Sequence, residues 1–274
     1  MGEGGETLSE LDFGGWADHY ASQPFYGHFK DELYPVFVKL IASLRGGARV
    51  LDIGAGPGHL AVEFFAAYPE ADRHFILLDS SREMLRVAAR RLAGRSVQAL
   101  VRSFNLKGWT KDMGPVDAIV SNNAVFNVVP ERLDEFYAAC QRLLVPDGFL
   151  LNQQPFGYAD GESPYGEAVF PRAMRKLLLA LFPDKPDLGP DALRKQAQTN
   201  RQARARHQKA LAKAKAAGAR FVPGQSGYHF LSVERHLESM RKAGFACGCV
   251  WRKREFAVVC GVRTAARSPG AKDA

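Results

Sequence analysis

Asp52, Gly54, Gly56 and Gly58 stand in the stretch VLDIGAGPGHLAVEF (Val50–Phe64), and a second acid, Asp79, follows 21 residues beyond Gly58. Glycines after an apolar run give a backbone that can approach a nucleotide closely. A dinucleotide site asks for G-x-G-x-x-G, whose third glycine lets the helix pack close to the strand. Here the spacing is G-x-G-x-G, and His59 holds the third-glycine position. A phosphate-cradling loop of the G-x-x-x-x-G-K-[ST] type needs a lysine after its last glycine, and Gly58 has none. Asp52 ends the apolar run, facing the place a pyrophosphate would occupy, where like charges repel. The pattern excludes phosphate-bearing ligands.

A ligand with a positive amino group suits Asp52 better. S-adenosylmethionine carries an ammonium, a carboxylate and a sulfonium, and no phosphate. The glycines admit its methionine part and ribose, and the helix amino terminus after Gly58 favours its carboxylate. An acid ending the second strand, Asp79, can accept both ribose hydroxyls. D-x-G-x-G-x-G after an apolar strand, with an acid ending the next one, resembles the class I S-adenosylmethionine-dependent methyltransferases. DSSREML resembles the family segment bordering the adenine, which implies cofactor contacts for Ser80, Ser81 and Met84. SNNAVFNV (Ser121–Val128) resembles the segment after the fourth strand that lines the methyl-transfer face, and implies a cofactor contact for Asn122. LVPDGFLL resembles the family's L-x-P-G-G turn, with Asp147 replacing the first glycine, and LSVERHLESMRKAGF resembles the helix before its closing hairpin.

Two departures bear on chemistry. After the third strand many members carry an acid for the adenine amine; SFNL offers Phe104 and Asn105, whose carbonyl can accept instead. Where the family often has histidines after the fourth strand, this chain has Phe126 and Asn127, so base-catalysed O-methylation through that segment is in doubt. A base is needed only for a nucleophile that holds its proton at neutral pH. The candidates for catalytic roles are His229 in GYHFLS, Asn127 and Tyr158. The resemblance also implies that an amino-terminal helix bearing Trp16 and Tyr20 covers the cofactor.

The elements that must position these residues alternate. Strands are predicted at RVLDIG, HFILLD, VQALVRS, VDAIVSN and GFLLNQQP. Helices are predicted at HLAVEFFAAYP, at SREMLRVAARRLAG with serine caps and a stop at Gly94, and at PERLDEFYAACQRLL with Pro130 in its first turn. After a break come the helix LSVERHLESMRKAGF, capped by Ser232 and stopped at Gly244, and two closing strands, CVWRKR and EFAVVCGVR. This pattern predicts an α/β fold: a doubly wound, seven-stranded, mostly parallel sheet with a helical insertion after the fifth strand. Leu11–Leu44 predicts two or three helices interrupted by Pro24 and Pro35, with Leu33, Phe37 and Leu40 on the apolar face. The expected units are a helical cap (1–45), the cofactor domain (46–155 and 228–263), the insertion (156–227) and a disordered tail (264–274).

The 274 residues are 46% hydrophobic and 24% charged, an ordinary globular composition with no apolar run long enough to span a membrane. The acidic amino terminus MGEGGETLSE is not a signal peptide, so a cytoplasmic location is expected. Four cysteines do not make a disulfide scaffold, and Cys247 and Cys249 are read as small thiols rather than metal ligands. Nine basic residues against two acidic ones lie between Asp187 and Arg220, nearly all of the net charge of +8. The insertion's first half supplies aromatic and apolar residues for a pocket wall over a small-molecule acceptor. Its basic second half is either a solvated lid or, alternatively, an arm that binds RNA backbone. A monomer or homodimer is expected.

Overall fold

In the computed structural model the described residues are Ala17, Ala21, 30–157, 229–253 and 256–264. Seven strands form one sheet: β1 (Ala48–Ile53), β2 (Arg73–Asp79), β3 (Val97–Val101), β4 (Val116–Asn122), β5 (Leu144–Pro155), β6 (Phe245–Lys253) and β7 (Phe256–Arg263). Their order is β3-β2-β1-β4-β5-β7-β6. The first five are parallel, and β7 runs antiparallel to both β5 and β6. Strand order reverses between β1 and β4, and at such a switch point a crevice opens beyond the carboxyl ends of the strands.

Helices cover both faces, as alternation predicts. α1 (Lys30–Ala42), α2 (His59–Ala67) and α3 (Arg82–Arg91) pack with Val50, Leu77, Val120 and Leu151 on one side of the sheet. On the other, α4 (Leu133–Leu143) and α5 (Val233–Lys242) cover Leu51, Ile76, Ile119 and Leu150. β1, β2 and β4 are buried nearly throughout, which is why they read as continuous apolar runs.

Local signals end the helices where expected. Ser81 caps α3, its hydroxyl accepting from the Met84 amide at 3.3 Å, and Ser232 caps α5 through the Arg235 amide at 3.1 Å. Gly94 and Gly244 adopt left-handed backbone beyond the ends of those two helices. Asp147, standing where the family turn has glycine, also takes a left-handed φ of 62°.

Several boundaries differ from expectation. Pro35 lies inside α1 rather than interrupting it. Proline removes one backbone hydrogen bond, and burial of Leu33, Phe37, Val38 and Ile41 in the core offsets that loss. Leu40 is 39% exposed, since it sits about 100° around the helix from Ile41. The helix expected from Pro130 begins as a 3-10 turn, Pro130–Arg132, before α4 proper. β5 starts at Leu144, and β6 starts at Phe245, before the expected Cys249. Pairing with neighbouring strands recruits these flanking residues, which single-chain periodicity does not report.

Candidate active site

The glycine loop connects β1 to α2 and is pinned at both ends. The Gly54 and Ala55 amides donate to the Leu78 carbonyl at 2.7 and 3.1 Å, and the Gly56 amide donates to Asp79 Oδ2 at 2.9 Å. Gly54, Gly56 and Gly58 all have positive φ, at 68°, 53° and 73°. Their needs for glycine differ. A Cβ on Gly54 would lie 2.2 Å from the Ala124 Cβ, and one on Gly58 would lie 3.0 Å from Leu92 Cδ1 and 3.1 Å from Ala88 Cβ. Gly58 therefore supplies the close helix packing that a dinucleotide loop assigns to its third glycine. A Cβ on Gly56 would meet nothing within 4 Å, so its bare backbone faces open space.

Asp79 ends β2 and accepts from the amides of Gly56 and Ser81, the latter at 2.8 Å. Burial raises its pKa, against backbone hydrogen bonds from Ser81, Gly56 and Ser80 that lower it. Asp52 is 3% exposed, and burial together with the neighbouring Asp79 pushes its carboxyl up to about 7. Two carboxylates held this way favour a cation beside them. Asn122 ends β4; its Nδ2 donates to the Tyr34 hydroxyl at 2.8 Å, while its buried Oδ1 has no hydrogen-bond partner. Burial and the Asp52 charge raise the Tyr34 pKa, keeping the phenol protonated. Tyr34 is a residue the sequence reading does not single out; only its packing against Asn122 brings it to the site.

Asn105 and Asn127 join two loops of the crevice. Asn105 Nδ2 donates to the Asn127 carbonyl at 2.8 Å, and its Oδ1 accepts from the Val129 amide at 3.3 Å. Its amide is thus engaged in holding the post-β4 turn. Asn127 Nδ2 donates to the Ala124 carbonyl at 3.0 Å, and its buried Oδ1 has no partner. Phe104 packs edge-on against Phe136 at 6.0 Å, on the α4 side of the sheet. Met84 is buried with Val87 against Ala17 and Ala21.

His229 enters where the chain returns to the sheet. Its amide donates to the Phe126 carbonyl at 2.7 Å, beside the post-β4 turn, and its buried Nε2 has no partner. Gly157 bridges Ser232, and its amide donates to the Leu231 carbonyl at 3.1 Å, so chain exit and return lie together. Tyr20, Trp16, Tyr158 and the basic stretch 191–220 lie outside the described residues.

A family model described as "Methyltransferase domain" matches residues 50–148, from β1 to the turn within β5. Trans-aconitate 2-methyltransferase of Methylobacterium nodulans is 32% identical over 179 residues, covering 61% of this chain and 65% of that one. The enzyme of the same name from Rhodopseudomonas palustris is 35% identical over 145 residues, 51% of each chain. The chain thus spans about half to two thirds of the length of these curated relatives. Among solved structures, the DhpI–SAH complex superposes with a TM-score of 0.52 at 14% identity, covering 91% of this chain and 92% of that one, a likeness of fold.

The crevice has a chemistry that fits S-adenosylmethionine: two buried acids, open space over Gly56, and an unpaired Asn122 carbonyl. Residues 50–148 thus carry a methyltransferase domain, and the chain is similar to S-adenosylmethionine-dependent methyltransferases in sequence and in fold.

Proposed function

We propose that the chain moves a methyl group from S-adenosylmethionine to a small-molecule acceptor by in-line displacement, the nucleophile being nitrogen, oxygen or sulfur. The observation that carries this reading is the row of Asp79, Asp52 and Asn122 at the carboxyl ends of β2, β1 and β4, around the open Gly56 backbone. When bound, the cofactor supplies a methyl activated on a sulfonium, so the protein's task is alignment and exclusion of water. Asp79 holds ribose hydroxyls, Asp52 balances the ammonium, and Asn122, steadied by Tyr34, fixes the methionine end.

The first acceptor class to test is a carboxylic acid, on the model of trans-aconitate, for which the curated relatives are named. A carboxylate is already deprotonated at neutral pH and needs no base. That suits a post-β4 segment with Phe126 and Asn127 in place of histidines. It leaves His229, Asn127 and Tyr158 to orient the acceptor. The basic residues between 187 and 220 offer charge for an anion.

The test is transfer of label from S-adenosylmethionine to trans-aconitate and to fractionated cell metabolites. In parallel, Asp79→Ala should weaken S-adenosylhomocysteine binding by about 1–3 kcal/mol in calorimetry. Unchanged affinity would remove Asp79 from the site. Label entering RNA instead of metabolites would favour the reading of 191–220 as an RNA arm.

A further inference from the structure

β5 lies between β4 and β7 in the sheet interior, yet its carboxyl half reads Asn152-Gln153-Gln154. All three are buried, at 0%, 2% and 0% exposure. Polar residues in such a strand are costly unless their hydrogen bonds are made. Asn152 and Gln154 face α4 and α5, where Asn152 Nδ2 lies 3.5 Å from the Tyr137 hydroxyl and Gln154 Nε2 lies 3.4 Å from His236 Nε2. Gln153 points the other way, and its buried Nε2 has no hydrogen-bond partner.

The face it points to is the functional one. Successive residues of a strand alternate faces. Val50, Leu77, Val120 and Leu151 all belong to the core beneath α1, α2 and α3. Two residues further along each strand, on that same face, stand Asp52, Asp79, Asn122 and Gln153. In spatial order this makes a polar row across β2, β1, β4 and β5, with Asp52 one layer deeper, level with Leu77 and Val120. Gln153 is the register partner of Asn122. It sits about 5 Å beyond β4 and about 10 Å from β1, on the side away from Asp79. With the ribose at Asp79 and the methionine end at Asn122, the next position along the row belongs to the other reactant.

We propose that Gln153 is an acceptor-binding residue, its Nε2 donating to a carboxyl or carbonyl oxygen of the methyl acceptor. This rests on the reading that the cofactor lies over β1 and β2. An uncharged amide is suited to the task. It supplies a donor without the desolvation cost of a buried cation, and, unlike a cation, it does not compete with the cofactor's ammonium for Asp52. It also discriminates: an acceptor lacking the oxygen leaves the buried N–H unmatched.

The test uses the full chain, Gln153→Met and Gln153→Glu, with S-adenosylhomocysteine and trans-aconitate as probes. Gln153→Met keeps the volume and removes the donor. It should bind S-adenosylhomocysteine within twofold of wild type, melt at the wild-type temperature or above, and bind trans-aconitate in the presence of S-adenosylhomocysteine at least tenfold more weakly. Gln153→Glu should lose the acid further by like-charge repulsion. A Gln153→Met protein that melts well below wild type would show a structural role and overturn the inference. So would unchanged trans-aconitate affinity, or a wild type that binds S-adenosylhomocysteine but none of trans-aconitate, citrate and oxaloacetate. Failure of the wild type to bind S-adenosylhomocysteine would instead strike the methyltransferase reading itself.

Discussion

Asp52 and Asp79 are legible in the sequence for different reasons: an acid before the glycine turn conflicts with a phosphate and suits a cation, and an acid ending the second strand suits ribose hydroxyls. The structure adds that Asp52 is 3% exposed and that its carboxyl is raised to about 7 by burial and by Asp79. The unfolded chain loses this proton near the ordinary value of 3.8, while the folded protein keeps it until about 7. Its contribution to stability is therefore present at low pH and lost as the pH rises through about 7. Asp79, also raised, acts in the same direction. Urea midpoints of the ligand-free protein should fall between about pH 4 and 7, and Asp52→Asn should flatten part of that fall. Parallel profiles for the two proteins would mean that Asp52 is ionised throughout. In the same pH range wild-type affinity for the amino-bearing ligand should rise, since only the ionised acid balances an ammonium.

At the scale of elements, α1 is more than a cap. Its stripe of Leu33, Phe37, Val38 and Ile41 is continuous with the core of β1 and α2. Its carboxyl end is fixed by the buried Arg73, whose guanidinium donates to the Ile41 carbonyl at 3.1 Å and the Ala42 carbonyl at 3.0 Å. That anchoring sets Tyr34 against Asn122. Tyr34→Phe removes the acceptor for Asn122 Nδ2, and leaving a buried donor unmatched costs about 1–3 kcal/mol. A lower urea midpoint together with severalfold weaker S-adenosylhomocysteine binding is expected. A change in neither would separate Tyr34 from the site. Sequence periodicity placed α1 in the amino-terminal helical segment but could not show that the Tyr34 hydroxyl meets Asn122, because that depends on how the helix packs over β4. The polar tract of β5 was equally mute: GFLLNQQP reads as a strand, and the face of each amide follows only from the register with β4.

At the scale of the whole molecule, the residues proposed to contact the cofactor come from β1, β2, β4 and α1, so a ligand that engages them should stabilise the fold as one unit. S-adenosylhomocysteine at about 100 times its Kd adds about 2.7 kcal/mol. For a chain of this size that is a rise of about 5–10 °C in melting temperature. Asp79→Ala should lose most of this shift, whereas a rise retained in full would point to a different binding place. Among the described residues no helix is long and apolar enough to cross a membrane.

The sequence by itself determined the strand–helix alternation, the caps at Ser81 and Ser232, the left-handed turns and the identity of the methyl donor. Those depend on local periodicity, backbone freedom and residue type, which are written along the chain. Only the tertiary structure decided that Gly54 is required by Ala124, that Asn105 ties two loops together, that Tyr34 meets Asn122, and that Gln153 stands beside Asn122 on the same face of the sheet. Each of these depends on which atoms from distant strands arrive at the same place, and hydrogen-bond partners and sheet register are properties of the packed molecule.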